Sequence, residues 1–202
     1  MRTAVCHLHS PDSESHARRQ PLPVESFFDS AIGVARGLLG KILVHRLGHE
    51  ELRARIVETE AYLGRRDLAA HAAKGLTNRT RVIFGPPGHA YVYLIYGIHQ
   101  MLNITCGVEG EAHCVLLRAA EPLDGLDVNL TGPGNLTRGL RIGAAHNGMS
   151  VCEDELSFLD DGAPPPRIGR AKRVGVDYSK HWKDRLLRFY DRDSDAVSRV
   201  PR

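Results

Sequence analysis

A chain of 202 residues with 42% hydrophobic content can bury one core, and a single domain is the expectation at this length. No stretch approaches the roughly 20 apolar residues of a membrane span, and the N-terminus lacks a charged head followed by an apolar segment. These features exclude a helical membrane protein and predict a soluble, intracellular one. The net charge is only +3 but unevenly spread: residues 167–202 carry eleven basic against five acidic side chains, while residues 109–161 carry ten acids against three bases. The basic end can offer a positive surface to a polyanion, or simply a solvated helix face.

Residues 1–25 combine Pro, Ser, His and Arg with few apolar residues and read as a mobile leader ahead of a domain spanning 26–202. Within it Cys6, His7, His9 and His16 share no fixed spacing, so no metal site is expected there. The remaining cysteines, Cys106, Cys114 and Cys152, form no Cys-x-x-Cys pair and read as reduced thiols.

Asp29 or Ser30 can cap a short helix over Ala31–Leu39. Lys41–Leu47 and Leu52–Tyr62 read as a β-hairpin closed by Gly48-His49-Glu50. If extended, its second arm points Ile56, Glu58, Glu60 and Tyr62 one way and Val57, Thr59 and Ala61 the other. Two acids and an aromatic on one face suit either a pocket or an edge strand turned to solvent.

After Leu63-Gly64 breaks the strand, Asp67–His71 reads as a short helical turn that can fold His71 back beside Glu60. Tyr91–Tyr96 is the strongest strand signal, followed by a turn over Gly97–Gln100 and a return strand Met101–Cys106. Cys114–Ala119 is a further buried strand; Arg118 near its end calls for an anionic partner, because an unpaired buried charge is costly. A Gly/Pro turn at 131–135 opens a helix over Leu136–Ala145, residues 160–166 form a loop, and Arg170–Val176 places basic residues before a short strand or tight loop. A carboxylate, an arginine, several aromatics and a basic surface together fit a reaction on a nucleobase.

The segments Val57–Gly64, Ala69–His71, Tyr91–Gly97, Leu102–Ile104 and Val115–Ala119, with Arg173–Val176 and Leu187–Tyr190 behind them, closely resemble the alkyladenine (3-methyladenine) DNA glycosylase family, in the same order and over roughly residues 26–192. The resemblance implies an α+β domain: a curved, mainly antiparallel sheet with surrounding helices and a protruding DNA-inserting hairpin. It implies a monomer acting on duplex DNA that contains damaged purines, with no metal or other cofactor; the compact chain without targeting signals adds the expectation of a cytoplasmic setting, at the nucleoid in a prokaryote.

By the same resemblance Glu60 is the general base on a water and Arg118 its partner. Tyr62, His71 and Tyr93 hold the flipped base, His71 and Tyr62 on one side and Tyr93 on the other, and Asn103 crowds the amino group that marks guanine. Tyr96 is the wedge that enters the duplex, with Ile98 and His99 against the groove. Ile98-His99 departs from the Met-aromatic pair of vertebrate members, which leaves groove contacts and damage preference open. Glu58 is assigned a structural role. Arg79, Arg81, Arg138, Arg141, Lys172 and Arg173 are candidate phosphate contacts. Two other readings compete: a catalytically silent nucleic-acid-binding module, and an RNA- or nucleoside-directed N-glycoside hydrolase.

Overall fold

The computed structural model describes residues 21–153 and 155–198; the His- and Cys-bearing leader segment 1–20 lies outside them. Structure is already present ahead of the expected boundary at residue 25. Pro21 forms a β-bridge to Leu159, the Leu22 N–H donates to the Phe158 carbonyl at 2.7 Å, and a 3₁₀ turn spans Val24–Phe27.

The domain is a curled antiparallel sheet with two short helices, α1 (Ala31–Gly37) and α2 (Pro133–Gly139). Its strands are β1 (Ile42–Leu47), β2 (Glu50–Leu63), β3 (Ala90–Ile95), β4 (His99–Cys106), β5 (His113–Pro122), β6 (Leu156–Leu159), β7 (Ile168–Ala171) and β8 (Arg188–Asp191). The spatial order is β3-β4-β5-β2-β1-β6, and β8 joins β2 while carrying β7 on its other edge. This is the α+β architecture expected from the sequence.

β2 is the hub. One edge pairs with β5 from Ala54 to Leu63. The other edge is shared, with β1 taking residues 50–55 and β8 taking Glu58, Thr59 and Glu60. Both edges of its C-terminal half are therefore occupied, and Val57 through Ala61 are all buried. The reading of β2 as a solvent-facing edge strand is excluded.

The main core lies between the sheet and the two helices and includes Phe27, Leu43, Ile56, Leu117, Phe158 and Phe189, each with no measurable exposure. α1 starts where Ser30 Oγ accepts from the Gly33 N–H at 3.2 Å, and its Ala35 carbonyl accepts from Thr59 Oγ1 at 2.8 Å, fixing the helix over β2.

α2 lies earlier than the segment 136–145 read from the sequence. Pro133 fits the first turn, where its missing N–H is no loss. The helix closes by a Schellman motif: Arg141 takes φ +54°, the Ile142 N–H bonds the Thr137 carbonyl and the Arg141 N–H the Arg138 carbonyl. The loop expected over residues 160–166 is present, β7 runs from Ile168 into the basic segment, and residues 172–176 take the tight-loop alternative rather than the strand.

Candidate active site

The two acids of β2 reach their positions through a bulge. The pairing of β2 with β5 slips between Ile56 and Thr59, and an extra residue in one strand reverses which face the following side chains take. Ile56 and Ala61 can thus both enter the main core, while Glu58 and Glu60 point to the opposite side. Strict alternation from the sequence would have put Ile56 beside the acids. The bulge removes it and leaves Glu58, Glu60 and Tyr62 as a polar run.

Glu58 and Glu60 are fully buried and share one arginine. Arg118 Nε donates to Glu58 Oε1 at 2.9 Å, and its Nη1 stands 3.3 Å from Glu60 Oε1. Glu58 is further held by Arg188 Nη1 at 2.9 Å and the Ser198 N–H at 2.7 Å. Two carboxylates facing two guanidiniums satisfy the rule that buried charges are paired and hydrogen-bonded. Glu60 differs in its remaining partners: it accepts from the Val174 N–H at 2.8 Å and the Tyr62 hydroxyl at 2.9 Å.

Burial pushes the Glu60 carboxyl above its ordinary range, against Arg118, the Val174 N–H and the Tyr62 hydroxyl, which favour the charged form. Burial works against the charge of Arg118 as well, yet Glu60 and Glu58 hold its pKa above the usual arginine value.

In front of this network lies a cleft of about 450 Å³, lined by Tyr62, His71, Tyr91, Tyr93, Tyr96, Asn103 and Arg118, together with Val174–Val176 and Tyr178. It adjoins a second apolar cluster of Ala70, Ala72, Ile83, Tyr91, Ala112 and Cys114, sharing Ile83, Tyr91 and Cys114 with it. Glu60 does not line the cleft; Tyr62 and Arg118 stand between them.

The His71 and Tyr93 rings meet edge to face, with centroids 4.5 Å apart, and His71 Nδ1 lies 3.0 Å from the Tyr91 hydroxyl. Burial, with Arg79 and Lys74 nearby, lowers the His71 pKa to about 4, so the ring is neutral at pH 7. A planar base between two rings needs a gap of about 7 Å, two layers of carbon contact. The slot between His71 and Tyr93 is closed in this structure. Asn103 donates its side-chain amide to the Tyr91 carbonyl at 3.3 Å, which fixes its orientation on the cleft wall.

The β3–β4 hairpin projects beside this cleft. The Ile98 N–H bonds the Ile95 carbonyl around Tyr96 at φ +52° and Gly97 at φ +72°, the dihedral signature of a tight hairpin turn of the mirror-image type. Tyr96 is 85% exposed and Ile98 is 72% exposed. His99 is half-buried against Gly134, where an added Cβ would lie 3.1 Å from the imidazole.

Five of the six candidate phosphate contacts, Arg79, Arg81, Arg138, Arg141 and Lys172, are exposed. Arg79 lies over the Tyr93 ring at 5.2 Å. Arg141 and Lys172 pair with Glu50 and Asp184, each at 2.6 Å. Arg173 is a correction. It is 5% exposed, donates both Nη groups to Asp67 and one to the Ala61 carbonyl, and lies 4.6 Å over the Tyr62 ring. It is an internal strut beneath the cleft, placed there by burial and a carboxylate that its basic neighbours in the sequence concealed.

Sequence reading missed Arg188, the Asp67–Arg173 pair, the Val174 N–H and Tyr178, whose hydroxyl donates to the Ala69 carbonyl at 3.1 Å. A backbone N–H leaves no mark in a sequence. An acid such as Asp67, followed directly by Leu68, Ala69 and Ala70, is the one signal that was available.

Comparison with known proteins places the chain in a family. The family model described as methylpurine-DNA glycosylase matches residues 25–195. Curated relatives named "Putative 3-methyladenine DNA glycosylase" include one from Anaeromyxobacter sp. (strain Fw109-5), 52% identical over 83% of this chain and 87% of its own. Another, from Legionella pneumophila (strain Corby), is 44% identical over 89% of this chain and 98% of its own. A third, from Methanocella arvoryzae (strain DSM 22066 / NBRC 105507 / MRE50), is 42% identical over 89% and 96% respectively. The chain belongs to the methylpurine-DNA glycosylase family.

Proposed function

We infer that this chain is a monofunctional DNA glycosylase that takes alkylated or deaminated purines out of duplex DNA and hydrolyses their N-glycosidic bond. The observation that carries the reading is the pairing of Glu60 with Arg118 directly behind an aromatic cleft, beside a hairpin that presents an exposed tyrosine.

The target base cannot be reached inside a stacked duplex, so the nucleotide is rotated out at a cost of a few kcal/mol, and Tyr96 fills the gap. The extruded purine stacks on Tyr62, His71 and Tyr93, whose faces attract the electron-poor ring of an alkylated base. His71 and Tyr93 separate to admit it. Neutral His71 sets no charge against a cationic purine, and Asn103 excludes a 2-amino group.

Catalysis follows from Glu60. A water held by Arg118 on the cleft side reaches the Glu60 carboxylate as the cleft opens to admit the base, and attacks C1′; the new C1′–O bond forms as the C1′–N bond breaks and its electron pair leaves with the base. The water proton passes to Glu60, whose negative charge also steadies the developing oxocarbenium sugar. Among the described residues no lysine lines the cleft, in keeping with hydrolysis by water rather than Schiff-base lyase chemistry.

The test is single-turnover release of base from duplexes carrying hypoxanthine or a methylated adenine, scored as alkali-sensitive abasic sites. Release by the parent and its loss in Glu60→Gln, with duplex binding kept, is the expected result. Binding without release from any lesion would establish the silent module. Equal release from single strands or free nucleosides would favour the nucleoside-directed hydrolase.

A further inference from the structure

Outside the cleft, two histidines 101 positions apart in sequence turn their Nε2 atoms toward each other at 3.0 Å. His45, on β1, is fully buried, and His146, in a 3₁₀ turn after α2, is buried too. The exposed carboxylate of Glu155, just before β6, completes a group whose ligand atoms all lie within 4.8 Å of one another. Among the described residues no other three His, Cys, Asp or Glu side chains converge in this way. We propose that His45, His146 and Glu155 form a binding site for a divalent late first-row transition ion, Zn²⁺ in kind, separate from the active site.

The hydrogen bonds fix how the rings would serve. The Leu140 carbonyl, 2.7 Å from His45 Nδ1, can only accept, so that nitrogen carries the proton and His45 Nε2 presents a bare lone pair. A metal-bound histidine typically holds its second ring nitrogen in this way, by donating to a backbone carbonyl.

His146 has two arrangements available. Without metal, the Gly143 N–H donates to its Nδ1 at 3.0 Å, leaving Nε2–H to donate to His45. With metal, the proton moves to Nδ1, where the Gly143 carbonyl waits at 3.2 Å, and both Nε2 lone pairs face the ion. No proton is lost in that exchange, and half-buried Gly143 leaves its N–H to water.

The dimensions also agree. Two nitrogens on a tetrahedral ion at about 2.0–2.1 Å each stand about 3.3 Å apart, a few tenths of an ångström beyond the observed separation. Two imidazoles and one carboxylate suit Zn²⁺, Co²⁺ or Ni²⁺ rather than Mg²⁺ or Ca²⁺. Because Glu155 is exposed, the fourth position opens to water. The ion would tie β1, the turn after α2 and the entry to β6, three segments distant in sequence.

The experiment uses the full chain, stripped with a chelator and titrated with Co²⁺ as probe, following the visible d–d absorption of four- or five-coordinate cobalt. One equivalent should bind, be displaced by Zn²⁺ and raise the melting temperature. Glu155→Gln, a surface change that leaves the core intact, should weaken binding about tenfold or more, and His146→Gln should abolish the signal. A variant with Cys6→Ser, His7→Asn, His9→Asn and His16→Asn controls for the leader and should bind as the parent does. No cobalt signal overturns the site. So does a signal that survives Glu155→Gln unchanged or disappears with the leader substitutions.

Discussion

The Tyr62 hydroxyl donates a 2.9 Å hydrogen bond to Glu60, so the cleft meets the buried acid through an aromatic ring rather than directly. The same side chain therefore lines the cleft and offers a proton to the carboxylate. Burial raises the Glu60 pKa, while Arg118, the Val174 N–H and this hydroxyl oppose the rise. A general base works only when ionised. The acid limb of the single-turnover profile should accordingly lie above the ordinary glutamate range, and excision should fall as the pH drops through it. Tyr62→Phe removes a bond that favours the charged form, so its limb should move to higher pH, with the ring face kept. An unmoved limb would mean that Glu60 does not titrate in catalysis.

Glu58 is the anchor of the same network, and its loss should be felt in stability before chemistry. It faces Arg118 and Arg188 from full burial, and breaking a buried pair leaves the opposite charges uncompensated. Glu58→Gln is expected to cost about 3–5 kcal/mol, read as a fall in denaturation midpoint. Arg118 would also lose part of its fixed orientation, so excision per folded molecule should drop as well.

How much of this was legible in the sequence depends on the range of the forces involved. The β2 acids, the tyrosine strand and Arg118 announced themselves because local β propensity and costly buried charge are properties of short segments. The bulge that sends Ile56 into the core and the acids away from it is set by pairing with β5, which no short window contains. Arg173 was misassigned for the same reason. Its partner Asp67 lies 106 residues away, and neighbouring Arg170 and Lys172 suggested a basic surface. The Val174 N–H on Glu60 depends on a loop path alone. The closed slot between His71 and Tyr93 depends on side-chain rotamers, which no short segment of sequence sets.

The correction at Arg173 separates two kinds of basic residue that composition treats alike. Exposed Arg138, bonded to its helix neighbour Asn135 Oδ1 at 2.8 Å, lies on α2, whose Gly134 packs on His99 at the foot of the hairpin. Arg138→Ala should leave the melting temperature unchanged, weaken duplex binding for every sequence, and lower the salt slope by about 1. Arg173→Ala should instead destabilise the fold by about 3–5 kcal/mol, because buried Asp67 is left unpaired. Duplex titrations across salt concentrations and thermal melts of both variants check the distinction.

Tyr96 occupies a backbone position that suits glycine. Its φ of +52° is left-handed, which costs a residue with a Cβ about 1–2 kcal/mol, and its ring is 85% exposed, so no packing returns that cost. Strain retained where packing gives nothing back points to a role outside the folded chain. Tyr96→Gly should therefore hold stability or raise it by about 1 kcal/mol, the relief of strain being partly offset by the greater freedom of glycine when unfolded. If the ring fills the gap left by an extruded base, the same change should slow excision from duplex DNA about tenfold or more, since unstacking costs a few kcal/mol. Release from single strands, which have no stack to refill, should change little. Thermal melts beside single-turnover rates on both substrates decide it: an equal loss on duplex and single strand would make Tyr96 part of the base pocket instead.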